Sequence, residues 1–474
     1  MKSIHLSRAV RLATLAAVAA PATVFAGGFS LNEQSASAMG VANAGAVANP
    51  ENATTIFFNP AGMSQLKGTN ISFGAAVLDI DAEAKSASGT NQIGQPVSGG
   101  RGGDIADPAV LPNVYLTHEI NDSIDVGFGI HAPYGLAADY DDDFVGRFFA
   151  DKTELTAISF TPAISVNNGQ GLSMGLGLNV MYVEGKLTKF MDNSGTIALA
   201  PGGVLPGTPA QGYADIEGDD VGVTFQVGFL YEMNDRTQFG LKAQTGTELD
   251  LEGDAKFTNV AVATPAGTPN PPGPGVAVPL NSTEPARVPL AIPESISAGL
   301  RHKLTDQFTV LAGATYSRWS RFDSLDIYGR DPSKPLTSKS PGGLPNLLSH
   351  TPEGWKNTWQ FNVGGIYQVT PEWALKAGYA WDESPVDQYV TARIPSSDRH
   401  WLTLGAQWKS AQSGWTVDAA VGTLLFTDDP KVSDQAYVLT PAGTAPNPTD
   451  PNSLYEGEYD LEAWSAGIQI SKAF

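Results

Sequence analysis

The 474-residue chain contains no cysteine. That excludes a disulfide framework and any thiolate-ligated metal site. Charge is sparse, with Asp, Glu, Lys and Arg making up 16% of residues against about 25% in ordinary soluble domains. Basic residues are scarcer still: 28 face 49 acidic ones, a net charge of −21. Such a surface repels nucleic acid and gives no basic patch for anionic lipid. Beyond the N-terminus no apolar run reaches the roughly 18 residues a helical span needs. HExxH, EF-hand and P-loop motifs are absent, so no metal or cofactor is expected. The one catalytic look-alike, "GLSMG" at Gly171 to Gly175, satisfies G-x-S-x-G. It lies at the start of an alternating strand and not on a strand-turn-helix elbow, so Ser173 is not expected to be a nucleophile and the protein is not expected to be an enzyme.

What is present begins with an export signal. Residues 1–26 carry Lys2, Arg8 and Arg11, then the apolar stretch Leu12 to Ala20, then small residues ending at Ala26. This order is that of a secretory signal peptide with cleavage after Ala26. Its removal takes away three of the 28 basic residues and no acidic one, leaving a net charge of −24.

After residue 68 the chain alternates. In "DVGVTFQVGFLYEM" the residues Val221, Val223, Phe225, Val227 and Phe229 share one face, against Gly222, Thr224, Gln226 and Gly228. Period-two alternation marks strands. A soluble sandwich would have a bulky inner face, whereas here the second face is small and polar. Apolar outside and small-polar inside is the pattern of a membrane barrel. Six short connections (Asn121-Asp122, Asn167–Gly171, Asn234-Asp235, Thr305-Asp306, Thr370–Glu372 and Ser410–Gly414) alternate with seven long ones (86–111, 133–148, 191–214, 257–286, 321–354, 384–397 and 425–459). Thirteen connections join fourteen strands, an even number with short periplasmic turns and long outer loops. Tyr231 and Phe239, Tyr367 and Trp373, and Trp408 and Trp415 flank short turns as an interfacial girdle. The expected fold is therefore all-β: a 14-stranded antiparallel transmembrane barrel over 67–474, in the outer membrane of a Gram-negative cell. The long loops rich in Pro and Gly should form external caps of turns and extended chain.

Residues 27–66 do not alternate. They carry few charges but include Phe29, Ile56, Phe57, Phe58, Met63 and Leu66, so they need an apolar place to go. A lumen of fourteen strands should hold them, and short helices folded inside the barrel as a hatch are expected.

Together, the Gly-Gly-Phe start of the mature chain, "FFNPAGM", "APYGL" at 132–136, "RIPSSDRHWLTLGAQW" at 393–408 and the terminal Phe474 resemble the outer-membrane long-chain fatty-acid transporters of the FadL/TodX type. The resemblance covers the whole mature chain. It implies passive, hatch-gated diffusion of a long-chain fatty acid or other hydrophobic small molecule. Substrate would collect in an outer groove, enter a pocket, and leave sideways into membrane lipid through a gap at a kinked third strand. Residue by residue, it matches Asn59, Pro60 and Ala61 to the family's hatch motif beside the kink, and Phe29 to the aromatic at the pocket mouth. The third strand, 123–132, offers Gly127, Gly129 and Pro133 as kink residues. Asp398 and Arg399 match a charged pair at the start of the twelfth strand. Phe57 and Phe58 would pack against the lumen or the ligand path. Arg318, Lys376, Arg393 and Arg399 are candidate cations for a carboxylate headgroup, none singled out. Aromatic hydrocarbons, which relatives also carry, need no such cation. A monomer is expected, with the barrel-assembly machinery as its partner during biogenesis and no nucleic-acid partner. The alternative is a general diffusion porin for small solutes, which would have an open polar lumen.

Overall fold

The computed structural model describes residues 27–269, 271–339, 346–438 and 447–474. The expected signal peptide, residues 1–26, lies outside the described residues. Among the described residues nineteen strands form one antiparallel sheet, and fourteen of them close it into a barrel. Their order round the wall is β1 (Thr69–Thr90), β2 (Ala109–Asn121), β3 (Ile124–Asp139), β4 (Lys152–Asn167), β5 (Leu172–Asp192), β6 (Gln211–Asn234) and β7 (Thr237–Gln244). It continues, past the intervening β8 (Thr247–Ala263) and β9 (Ala277–Ile292), with β10 (Ser295–Lys303) and β11 (Phe308–Ser317), then β14 (Thr358–Gln368), β15 (Trp373–Asp382), β16 (Arg399–Lys409), β17 (Trp415–Phe426) and β19 (Asn447–Ala473). β1 and β19 pair from Asn70↔Ala473 onward, which closes the wall. Closure leaves no unpaired edge where lipid could not hydrate it.

Side chains follow the alternation. Phe73, Leu176, Phe225, Val363, Leu404 and Ile468 face outward and are exposed, whereas Ser72, Asn113, Ser165, Thr224, Thr403 and Gln469 face inward and are buried. The outward set is the lipid contact. Around the short turns aromatic residues stand opposite one another across the ladder: Tyr231 with Phe239, Phe308 with Tyr367, and Trp373 with Trp408. Lys472, an odd residue for an apolar face, lays its ammonium 4.7 Å from the Trp415 ring centroid and 4.9 Å from that of Phe474. Cation–π contact and a nearby headgroup layer make that position tolerable.

The long connections differ from the expected turns and extended chain. Within the stretch 245–294, β8 (Thr247–Ala263) and β9 (Ala277–Ile292) form a hairpin that continues the sheet on the outer part of β6, Tyr213 to Asp219. β12 (Ser324–Gly329) and β13 (Leu347–Pro352) add to β9, and β18 (Lys431–Val438) adds to the outer half of β19. Backbone groups beyond the membrane still need partners, and a strand running past the bilayer offers a free template for them.

Candidate functional site

Residues 27–66 occupy the barrel interior in four short helical turns: Ala36–Met39, Ala46–Ala48, Thr55–Phe58 and Pro60–Gln65. The apolar run Thr55–Phe58 ends at Asn59 because Pro60 disfavours a helical conformation in the residue before it. Asn59 is extended, at φ −163° and ψ 103°, and its Oδ1 accepts from Ala61 N at 3.1 Å, capping the next turn. Its Nδ2 donates to Val47 O at 2.7 Å and to Phe229 O of β6 at 3.0 Å. One side chain thus ties two parts of the segment to the wall.

The wall meets the segment with glycine. A Cβ at Gly228 would collide with Asn59 Oδ1, and one at Gly175 with the Pro60–Ala61 backbone. Gly378 and Gly405 admit Val41 and Gly40 in the same way. The Asn-Pro-Ala turn therefore sits on β5 and β6, while Ile56 and Met63 on either side of it reach Gly127 of β3. Ser64 Oγ donates to Ser173 Oγ at 2.7 Å, so the serine of the G-x-S-x-G look-alike holds the segment to the wall.

β3 is interrupted where Pro133 lies. Its ladder with β2 ends at Val114↔Ile130, while its ladder with β4 continues to Asp139↔Lys152 with a register shift between His131 and Tyr134. The freed edge of β3 pairs with the N-terminal segment: Leu31 N donates to Pro133 O at 3.0 Å, Gly135 N to Phe29 O at 2.9 Å, and Gln34 Nε2 to Ala132 O at 2.6 Å. Of the expected kink residues, Pro133 lies in the irregularity. Gly127 and Gly129 lie in the regular ladder, where they make room for Ile56 and Met63 and for Tyr115.

Two cavities flank the segment. The outer one, about 60 Å³, is lined by Phe29, Leu136, Leu155, Leu251, Leu290 and Phe322, with Arg393 at its wall. It is smaller than the roughly 150 Å³ that admits a benzene, so a long chain enters only if side chains move. The inner one, about 170 Å³, lies in the lumen and is lined by Phe57, Phe58, His131, Pro133, Asn179, Gln226 and Lys242 among others. Phe29, which lines the outer cavity, packs edge-on against Trp319 at 4.5 Å and Tyr134 at 5.9 Å, two rings that line the inner one. The aromatic cluster, completed by Phe322 and Trp355, is the partition between them.

The four cations have different surroundings. Arg393 donates to Thr153 Oγ1 at 2.9 Å and Thr188 O at 2.9 Å beside the outer cavity. Arg318 is exposed, 3.9 Å from Glu294, and away from both cavities. Lys376 is buried and already paired, with Glu51 at 2.6 Å and Asp418 at 3.1 Å, and it donates to Ser37 O at 3.1 Å. It fastens the segment to β15 and β17. Arg399 donates through Nε and Nη2 to Asp382 Oδ2, at 3.1 and 2.8 Å, and not to Asp398, which instead accepts from Ser384 N at 2.8 Å. Two lysines were missed: Lys189, 3.3 Å from Ser349 Oγ near Arg393, and Lys242 in the lumen. Alternation in "TQFGLKAQ" already placed Lys242 inward with Gln238 and Gly240.

Residues 16–474 match the family model described as outer membrane protein transport protein (OMPP1/FadL/TodX). The 47 kDa outer membrane protein of Pasteurella multocida is 30% identical over 412 residues, 86% of this chain and 89% of that one. The long-chain fatty acid transport protein of Escherichia coli O157:H7 is 26% identical over 435 residues, covering 88% and 92%. Among solved structures, a Pseudomonas aeruginosa FadL homologue superposes with TM-score 0.77 at 23% identity, over 94% of this chain and all of the other.

Proposed function

From the premise that the chain belongs to the OMPP1/FadL/TodX family of outer-membrane transport proteins, we propose that it carries long-chain fatty acids inward by passive diffusion, gated by residues 27–66. The observation that carries this reading is the outer cavity: an apolar slot with a guanidinium at its wall, bordered on the lumen side by rings that include one from the segment itself. Burying an acyl chain there gains about 0.8 kcal/mol per CH₂. Arg393 suits the carboxylate, with a donor fork that matches its geometry. Withdrawal of Phe29 would join the two cavities. The break in the β2–β3 ladder beside Pro133, now paired with the N-terminal segment, would become a sideways exit into lipid once that segment moves. The Escherichia coli relative, a long-chain fatty acid transport protein, supports the same substrate class. A general diffusion porin fits less well, because the segment fills the lumen that small solutes would cross.

The test is uptake of labelled oleate by cells lacking other such transporters, together with mass spectrometry of ligands that co-purify with the barrel. Uptake above the empty-vector level and a bound acyl chain are expected. Background uptake with no apolar ligand bound would sink the proposal.

A further inference from the structure

Lys242 sits on the inward face of β7, buried, at the wall of the inner cavity. Its Nζ donates to Phe57 O at 2.6 Å and lies 5.0 Å from the Phe57 ring centroid. Among the described residues no carboxylate lies within ion-pair distance of it. Two buried cations of the lumen differ, since Lys376 meets Glu51 and Asp418 and Arg399 meets Asp382. Asp382 also lines the inner cavity, but Arg399 already holds it. An ammonium has three N–H donors, and a carbonyl and a ring face leave its charge uncompensated. A buried, uncompensated charge is costly unless a counter-ion arrives.

A second side chain in the same cavity is also short of a partner. His131 is buried, lines the cavity, and its Nδ1 has no hydrogen-bond partner among the described residues. Its ring centroid is 5.0 Å from that of Phe57, so the Phe57 ring neighbours both the imidazole and the ammonium. His131 is also the residue at which the β3 ladder breaks.

We infer that Lys242 is an interior station for a carboxylate headgroup, where the anionic end of an amphipathic ligand rests after leaving Arg393 and before passing the break in the wall. This rests on the transport reading and adds a preference to it: carboxylates over neutral chains of the same length. A carboxylate dropping from the outer cavity would otherwise lose all charge compensation inside the lumen, and that step would be the barrier. Lys242 lowers it by supplying a charge-assisted hydrogen bond, with the Phe57 carbonyl as the contact it relaxes from. Because Phe57 belongs to the mobile-gate candidate, arrival of the anion at Lys242 also removes one tie between segment and wall.

The experiment compares transfer of oleate and of oleyl alcohol across proteoliposomes containing the full-length barrel, as wild type, Lys242→Gln and Lys242→Arg. Oleate transfer should fall about tenfold in Lys242→Gln, as loss of roughly 1.4 kcal/mol at the limiting step implies. Oleyl alcohol transfer should be unchanged, and Lys242→Arg should retain oleate transfer. If Lys242→Gln does not assemble, Lys242→Met carries the same comparison. Equal loss for both probes, or no loss for oleate, overturns the inference while the transport reading stands. Passage of neither probe through the wild type overturns both.

Discussion

Glu353 lies buried in the outer cap, in the connection between β13 and β14, where Trp355 Nε1 donates to its Oε2 at 3.0 Å and its Oε1 has no partner among the described residues. Burial pushes its carboxyl up to about 8, from an ordinary 4.5. The folded protein therefore holds a proton there that the unfolded chain releases at lower pH. The stabilisation is complete below the ordinary value, declines as pH rises, and is gone once pH passes about 8. Glu353→Gln keeps an acceptor for Trp355 and removes the charge. The thermal midpoint in detergent should fall through that window in the wild type and stay level in the variant; parallel curves would refute this. Such partnerships explain which single residues were readable. Phe29 and Asn59 stood out through their local motifs. Arg399 was matched with its neighbour Asp398, yet consecutive strand residues point to opposite faces. Its partner is Asp382, directly across the β15–β16 ladder, which no local pattern reveals. Lys376 finds Glu51 at a separation of 325 residues.

Helical turns and strands form a second level of organisation. The turn Asn59–Ala61 is a fastening between two pieces of the segment and two strands. Replacing Asn59 and Pro60 together by alanine removes the hydrogen bonds to Val47 and Phe229 and frees residue 59 from its extended conformation. Loss of a capping residue of this kind costs about 1 kcal/mol. We expect oleate uptake to fall several-fold while heat-modifiable migration shows a normally assembled barrel; normal uptake would count against a gating role. The inward glycines belong to the same level. Their frequency in strands was visible, but their purpose depends on what approaches them. Gly228 and Gly175 receive the Asn-Pro-Ala turn, and Gly127 receives Ile56 and Met63, so the absence of a side chain at Gly127 answers a packing requirement.

For the whole molecule, the barrel and its interior segment are held by different interactions. The wall is a closed ladder of backbone hydrogen bonds with an apolar outer face. The segment is held by side-chain contacts: the Lys376 cluster, the Asn59 bonds and the aromatic rings around Phe29. Removing residues 27–66 should therefore spare the wall and open the lumen. In planar bilayers the deletion should convert a nearly closed channel into an ion-conducting one, and conductance no greater than that of the intact protein would contradict this.

Alternation, turn spacing and a non-alternating apolar start were enough to specify a fourteen-stranded outer-membrane barrel, because lipid outside and polar lumen inside impose a period of two on every span. The alternation of "TQFGLKAQ" also puts Lys242 on the inward face, but nothing in the sequence singled that lysine out. These patterns left undetermined where the long connections extend the sheet, where β3 loses its partner, and which lumen charges are paired. Those features depend on contacts between residues far apart in the chain, brought together only when the sheet closes around residues 27–66. Closure is what leaves Lys376 neutralised and Lys242 facing the cavity with no carboxylate beside it among the described residues.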